Sequence, residues 1–297
     1  LSRYLTEKQM LIMFEESKKL FEDISSASSL EQAVGILSRL SKMDTKITKD
    51  VTSFIDSIFL KDYPLHIKRN LLPLSRKIEY VTPCEGDSSN VLAAKVAALD
   101  NFGPEFDSDV ISILLKLVYR NDEVFTSVAD FLANHLEGFM TRSEKDDKMK
   151  ASISEIINTI ISFSCNDKNC NRNWVQQAAV AGFIEKNNQF KCETYVPDYI
   201  GKCVKFLIQT CISPHESLSK KAIQAASSFA GLHNIDLLLS TLLTTVDFFN
   251  DNAPYKTILL LNQLYEKVPS PLYSAFIRIF DDIIRNNSSN SLISEFL

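Results

Sequence analysis

Glycine is scarce in this 297-residue chain (7), as is proline (9), and there is a single tryptophan, Trp174. Strand-rich proteins need many turn residues, so this scarcity favours helices. Seven scattered glycines leave no glycine-rich loop to cradle a phosphate. No apolar run approaches the ~20 residues with which a helix crosses a bilayer. The richest run, Ile235 to Phe249, is broken by Ser240, Thr241, Thr244, Thr245 and Asp247. An excess of positive charge is also missing: the net charge is -5. That argues against wide phosphate-backbone contact, which needs a basic face. The chain starts at Leu1 without a signal-peptide pattern. It is read as a piece of a longer protein, whose targeting signals are missing rather than absent.

The six cysteines (Cys84, Cys165, Cys170, Cys192, Cys203 and Cys211) lack the spacing of a disulfide framework. A reducing compartment, cytoplasm or nucleus, is the simpler expectation. Cys203 and Cys211 are eight apart on one expected helix, so both can face a core.

What is present is a large apolar fraction, 45%, with 19 phenylalanines and 23% charged residues. The chain can therefore bury a sizeable core. Helix starts recur along it. Thr6-Glu7-Lys8-Gln9 fits a capping box, and Ser28-Ser29-Leu30-Glu31 fits another. Ile47, Val51, Phe54, Ile55 and Ile58 keep one helical stripe. Leu65 to Ile78 reads as amphipathic with a joint at Pro73, and Thr82 to Asn90 as a loop. Ile153, Ile156, Ile157, Ile160 and Ile161 are spaced for a helix despite their β propensity. Ser213-Pro214-His215-Glu216 reads as a capping box with proline at the first helical position. Tyr199 to Cys211 places its apolar residues on one face. In all, fourteen to fifteen helices with short connections are expected. The one period-2 stretch, Ile78 to Thr82, is too short to argue for a strand.

Two stretches repeat one design. Lys95 to Phe102 is alanine-rich and precedes a Leu/Ile-rich helix at Asp109 to Lys116. Lys221 to Phe229 is alanine-rich and precedes another at Asp236 to Leu243. Weaker counterparts lie around Val128 to Ala133, Val175 to Ala181 and Leu272 to Phe280. The separation divides into about three periods of the ~40–47 residues of HEAT and armadillo units. Here the chain resembles the HEAT/armadillo-like superfamily, over roughly residues 91–284. Residues 1–81 carry less of the alanine-rich signature. The resemblance implies an all-α fold, an α-solenoid of stacked antiparallel helix pairs with irregular repeats. It implies one helical-repeat domain over residues 1–297. No proline or arginine recurs at the fixed offsets of a regular HEAT unit.

Candidate chemistry is thin. Asp281-Asp282-Ile283-Ile284-Arg285 begins like the aspartate box that holds magnesium in all-helical isoprenoid enzymes. Arg285 takes the place of its third carboxylate, so a polar helix face is the competing reading. Cys165 and Cys170 lie five apart with Cys192 downstream, whereas structural zinc prefers tighter pairs and four ligands. His66, His135, His215 and His233 form no pattern with serine or cysteine that suggests a nucleophile. No cofactor is expected. The densest basic region is Lys61, His66, Lys68, Arg69, Arg76 and Lys77, either a solvated face or a ridge for an acidic partner or nucleic acid. Aromatics anchor interfaces, which singles out Tyr195, Phe248 and Phe249. The expectation is a non-enzymatic scaffold that meets protein partners in a multiprotein complex. The alternatives are a nucleic-acid- or chromatin-associated repeat protein and a metal-dependent helical enzyme.

Overall fold

The computed structural model describes residues 5–22, 26–43, 46–61, 63–84, 86–102, 108–120, 123–162, 173–187, 190–230, 235–245, 253–265 and 273–286. Among them every regular element is helical and none is a strand. The chain divides into two compact units, Leu1–Val110 and Ile111–Leu297. The division falls within α7 (Ser108–Val118), counting helices from the N-terminus.

The first unit holds α1 (Glu7–Glu22), α2 (Ala27–Leu40), α3 (Ile47–Phe59), α4 (Leu65–Leu71), α5 (Ile78–Val81) and α6 (Ser89–Leu99). The expected box at Thr6 is made: Gln9 Oε1 accepts from the Thr6 amide at 2.9 Å, and Thr6 Oγ1 accepts from the Gln9 amide at 3.3 Å. The second start lies two residues earlier than the sequence suggests. Ser26 rather than Ser28 caps α2, accepting from the Ser29 amide at 3.3 Å. The Ser29 hydroxyl lies 2.7 Å from that of Ser26, which favours the earlier cap. The stripe on α3 is buried at Val51, Ile55 and Ile58. Phe21 is the hub of this core. Its ring meets Phe54 and Tyr63 edge-on at 5.7 and 5.3 Å, and its carbonyl accepts the Tyr63 hydroxyl at 3.0 Å. Edge-to-face pairs suit the ring quadrupoles.

Leu65 to Ile78 is not one kinked helix. After α4, residues Leu72–Leu74 form a 3-10 turn containing Pro73, and Ser75 and Lys77 are extended. Ile78 then opens the four-residue α5, so the period-2 stretch is a helical turn.

The second unit holds α8 (Glu123–Ser143), α9 (Asp147–Ile161), α10 (Trp174–Lys186), α11 (Tyr199–Cys211), α12 (Glu216–Phe229), α13 (Ile235–Thr245), α14 (Ala253–Leu264) and α15 (Tyr273–Asn286). The five isoleucines of α9 are all buried, so burial on one face overrides their β propensity. Asp146 caps that helix by accepting from the Met149 amide at 3.0 Å. At α12 the expected box is replaced. Ser213 Oγ accepts from the His215 amide at 3.3 Å, and His215 takes the cap position without a side-chain bond. The short loop bends back on itself, so Ser213 is too early to reach the first helical turn.

Packing follows an alternating rule. Helix α10 lies against α8 and α12, and α12 against α14; α11 lies against α9 and α13. Contacts such as α8 on α9 and α11 on α12 join the two sets. The pairs α10–α12, α9–α11 and α12–α14 run parallel. Trp174 at the start of α10 stacks on His215 before α12 with centroids 6.0 Å apart, and Glu185 near its end accepts from Gln224 at 2.8 Å. Between α9 and α11 the pairs are Ser154 with the Tyr195 carbonyl and Asn158 with Lys202, the latter at 2.9 Å. Between α12 and α14, Lys256 reaches the Ser213 carbonyl and Ser227 the Gln263 carbonyl at 3.4 Å. In each case the numbers rise together along both helices. The alanines of α12 permit this closeness: Ala222, Ala225 and Ala226 are fully buried. Helix α14, not the Leu272 to Phe280 region of α15, follows α12 in its set.

Candidate partner-binding surfaces

The basic residues gather around the C-terminal end of α3. A helix end leaves carbonyls without partners, and Lys68 from α4 supplies one, donating to the Phe59 carbonyl at 3.3 Å. The Phe59 ring stacks on Tyr80 of α5, with centroids 5.1 Å apart and planes 21° from parallel. Lys77 lies over the Tyr80 ring at 5.4 Å and makes a loose pair with Glu79 at 3.9 Å. Lys68 thus touches Phe59 directly, and Lys77 is linked to it through the Tyr80 ring. Lys61 follows the same helix end, its amide donating to the Ile58 carbonyl at 3.1 Å. Arg76 precedes Lys77 and is exposed; Arg69 sits half-buried in the last turn of α4, where His66 is exposed. The side chains of Lys61, Arg69 and Arg76 make no ion pair among the described residues.

A buried hydrogen bond sets where these cations emerge. Ser75 Oγ donates to Asp56 Oδ1 at 2.9 Å and accepts from the Lys77 amide at 3.2 Å. The bond pins the extended link between α4 and α5 to α3. Two apolar side chains that sequence reasoning missed stand beside the cations. Leu60 is 75% exposed and Ile78 is 42% exposed. Leu60 falls two residues past the last stripe position of α3, Ile58, which is the available signal. Ile78 gives none, because Leu65 to Ile78 reads as one amphipathic stretch until the turn at Pro73 breaks its phase.

Tyr195 is half-buried and tied into its own unit. Its hydroxyl donates to the Met140 carbonyl at 2.9 Å and meets Ser143 Oγ at 2.8 Å, and Lys150 lies over its ring at 5.6 Å. Phe248 and Phe249 lie outside the described residues, as do Cys165, Cys170 and His233. Asp281 faces Arg285 one turn on at 3.9 Å, so the arginine acts as the aspartate's counter-ion. The side chain of Asp282 is outside the described set. Among the described residues no group of three or more His, Cys, Asp or Glu is placed to hold a metal, and no helix is long and apolar enough to cross a membrane.

Cys192, Cys203 and Cys211 are buried free thiols. Burial pushes Cys192 up to about 11, partly offset by its hydrogen bond with Tyr199. Burial raises Cys203 and Cys211 further, and Tyr199 likewise. Thiols held protonated are poor nucleophiles, so these three serve as core. Burial lowers Lys256, against the attraction of Glu216; its ammonium satisfies the Ser213 carbonyl at the turn before α12. A cleft of about 160 Å³ lies between α8 and α10, lined by Asn134, Glu137, Met140, Lys186, Asn187 and Cys192. Lys186 already donates to Asn134 there at 2.6 Å.

The second unit exposes aromatics of its own. Trp174 is 44% exposed and Val175 42%, on the first turn of α10. Trp174 is readable in the sequence as a bulky residue directly after a capping asparagine, since Asn173 and Gln176 form a full capping box. Tyr265 and Tyr273 share a hydroxyl contact at 2.6 Å and are both exposed. Comparison with protein-family models, with curated proteins and with solved structures finds no match.

Proposed function

We propose that the chain is a non-enzymatic helical-repeat scaffold that binds protein partners in a multiprotein complex. One observation carries this reading: in the Ile111–Leu297 unit, alternate helices pack in two sets, with α10–α12, α12–α14 and α9–α11 running parallel. Stacked helix pairs build an α-solenoid, whose repeats contact chiefly their neighbours and whose surface serves recognition. The helices of one set begin at Glu123, Trp174, Glu216 and Ala253, uneven steps around the ~40–47 residues of HEAT and armadillo units. An irregular HEAT/armadillo-like repeat accounts for that unevenness. The exposed Trp174 and Val175 supply apolar anchors of the kind that dominate interfaces.

Native co-purification of the full chain tests the reading. A stable hetero-complex is expected, and Trp174→Ala with Val175→Asp weakens it without lowering the melting temperature. A lone monomer with turnover activity overturns it.

A further inference from the structure

We propose that the α3 end of the Leu1–Val110 unit docks an acidic peptide segment with apolar side chains. Leu60 and Ile78 make the apolar contacts, and Lys61, Arg69, Arg76 and Lys77 frame them. The inference deepens the scaffold reading and rests on it, by giving one surface its partner chemistry.

Charge complementarity is the first argument. Between Phe59 and Tyr80 there are five lysines and arginines against two carboxylates, Asp62 and Glu79, in a chain of net charge -5. Three of the cations lack an ion pair among the described residues. Unpaired cations on the segments that carry exposed leucine and isoleucine favour a ligand of opposite sign. Preorganisation is the second. The Phe59–Tyr80 stack joins the α3 end to α5, and the Asp56–Ser75 bond fixes the link that carries Arg76. The surface is therefore built before a ligand arrives, which reduces the ordering cost of binding.

A peptide fits better than a nucleic acid. The patch carries a highly exposed apolar side chain, Leu60, at 75%. Lys68 is engaged by the Phe59 carbonyl and Lys77 by Tyr80 and Glu79. That leaves few free cations, whereas tight phosphate binding neutralises many. Apolar anchors flanked by charges match an amphipathic segment laid on a surface.

The test uses the full chain and a fluorescein-labelled peptide of roughly 15 residues made of Glu, Asp and Leu. Two comparison probes are the same peptide with Leu replaced by Ser, and a single-stranded RNA of equal net charge. The leucine peptide is expected to bind at least about tenfold more tightly than either probe. Lys61→Glu with Arg76→Glu weakens it by a further tenfold or so, and Leu60→Ser weakens it several-fold, with melting temperatures unchanged. Absent peptide binding, tighter binding of the RNA, or affinities that ignore all three substitutions overturn the proposal. A native complex that survives Lys61→Glu with Arg76→Glu removes this surface and leaves the scaffold reading standing. Peptide binding that obeys the substitutions, in a chain that co-purifies with nothing, supports the surface and counts against the scaffold reading alone.

Discussion

Asp56 and Ser75, nineteen positions apart, share a buried hydrogen bond of 2.9 Å between α3 and the link that follows α4. Ser75 has no exposed surface and Asp56 is 9% exposed. A carboxylate there has little water to fall back on. Ser75→Ala is therefore expected to cost about 2 kcal/mol, the range of a hydrogen bond to a charged group plus its lost partner. Asp56→Asn keeps an acceptor and is expected to cost less. Urea unfolding checks the order; equal losses for the two variants contradict it.

Asp198 is the one non-glycine residue with positive φ among the described residues, at 58°. It stands before α11 and makes no capping bond with its side chain. Asp198→Gly is thus expected to stabilise the chain by about 0.5–1 kcal/mol by removing left-handed strain. Gly201 faces the same carboxylate, and a methyl placed there collides with it. Gly201→Ala alone loses in collision what it gains in helix propensity, and combined with Asp198→Gly it is expected to stabilise further. Thermal melts of the two single variants and the double variant decide this.

Alkaline stability follows from the buried thiols. Cys192 titrates at about 11 in the folded chain against an ordinary 9.0. Above pH 9 the unfolded chain loses this proton first, so the unfolded state binds fewer protons and stability falls as pH rises. The contribution is complete below pH 9 and is lost through about 11. Its size is on the order of 2–3 kcal/mol. Cys203, Cys211 and Tyr199 are shifted in the same direction and add to the fall. Denaturation at about pH 7 and about pH 10 should show the drop, and Cys192→Ala should shrink it. A pH-independent midpoint across that window contradicts the assignment.

Helix α12 leaves no room to grow. Ala222, Ala225 and Ala226 are fully buried on it. Ala225→Leu is expected to cost about 1–3 kcal/mol through overpacking. Ala97, exposed on α6, accepts the same change within about 0.5 kcal/mol. Matched melting curves check the contrast.

Helical content was legible wherever one face had to be buried. The α9 isoleucines and the α3 stripe needed only spacing, because burial requires a single phase. The Gln9 box was legible because both partners lie within four residues. Ser26 was not, since Ser28 offers the same chemistry in a better-looking frame. The turn at Ser213 was missed because its own loop takes up the serine oxygen. Among the site candidates, the Lys61 to Lys77 cluster was visible as charge. Its arrangement around Phe59 was not, because the Phe59–Tyr80 stack and the Asp56–Ser75 bond join residues about twenty apart. Tyr195 drew notice as an aromatic, but its bonds to Met140 and Ser143 depend on a contact more than fifty positions away.

The parallel stacking of alternate helices also governs how the Ile111–Leu297 unit can change length. Each helix from α10 to α14 rests on the one two places before it, so its partners are close along the chain. Such local wiring favours fast folding. It also means that a helix pair added between α12 and α13 would find ready-made neighbours on both sides. A lineage can therefore lengthen this part of the molecule pair by pair: α13 and α14 would move onto the inserted pair, while the helices before them keep the seats they already have.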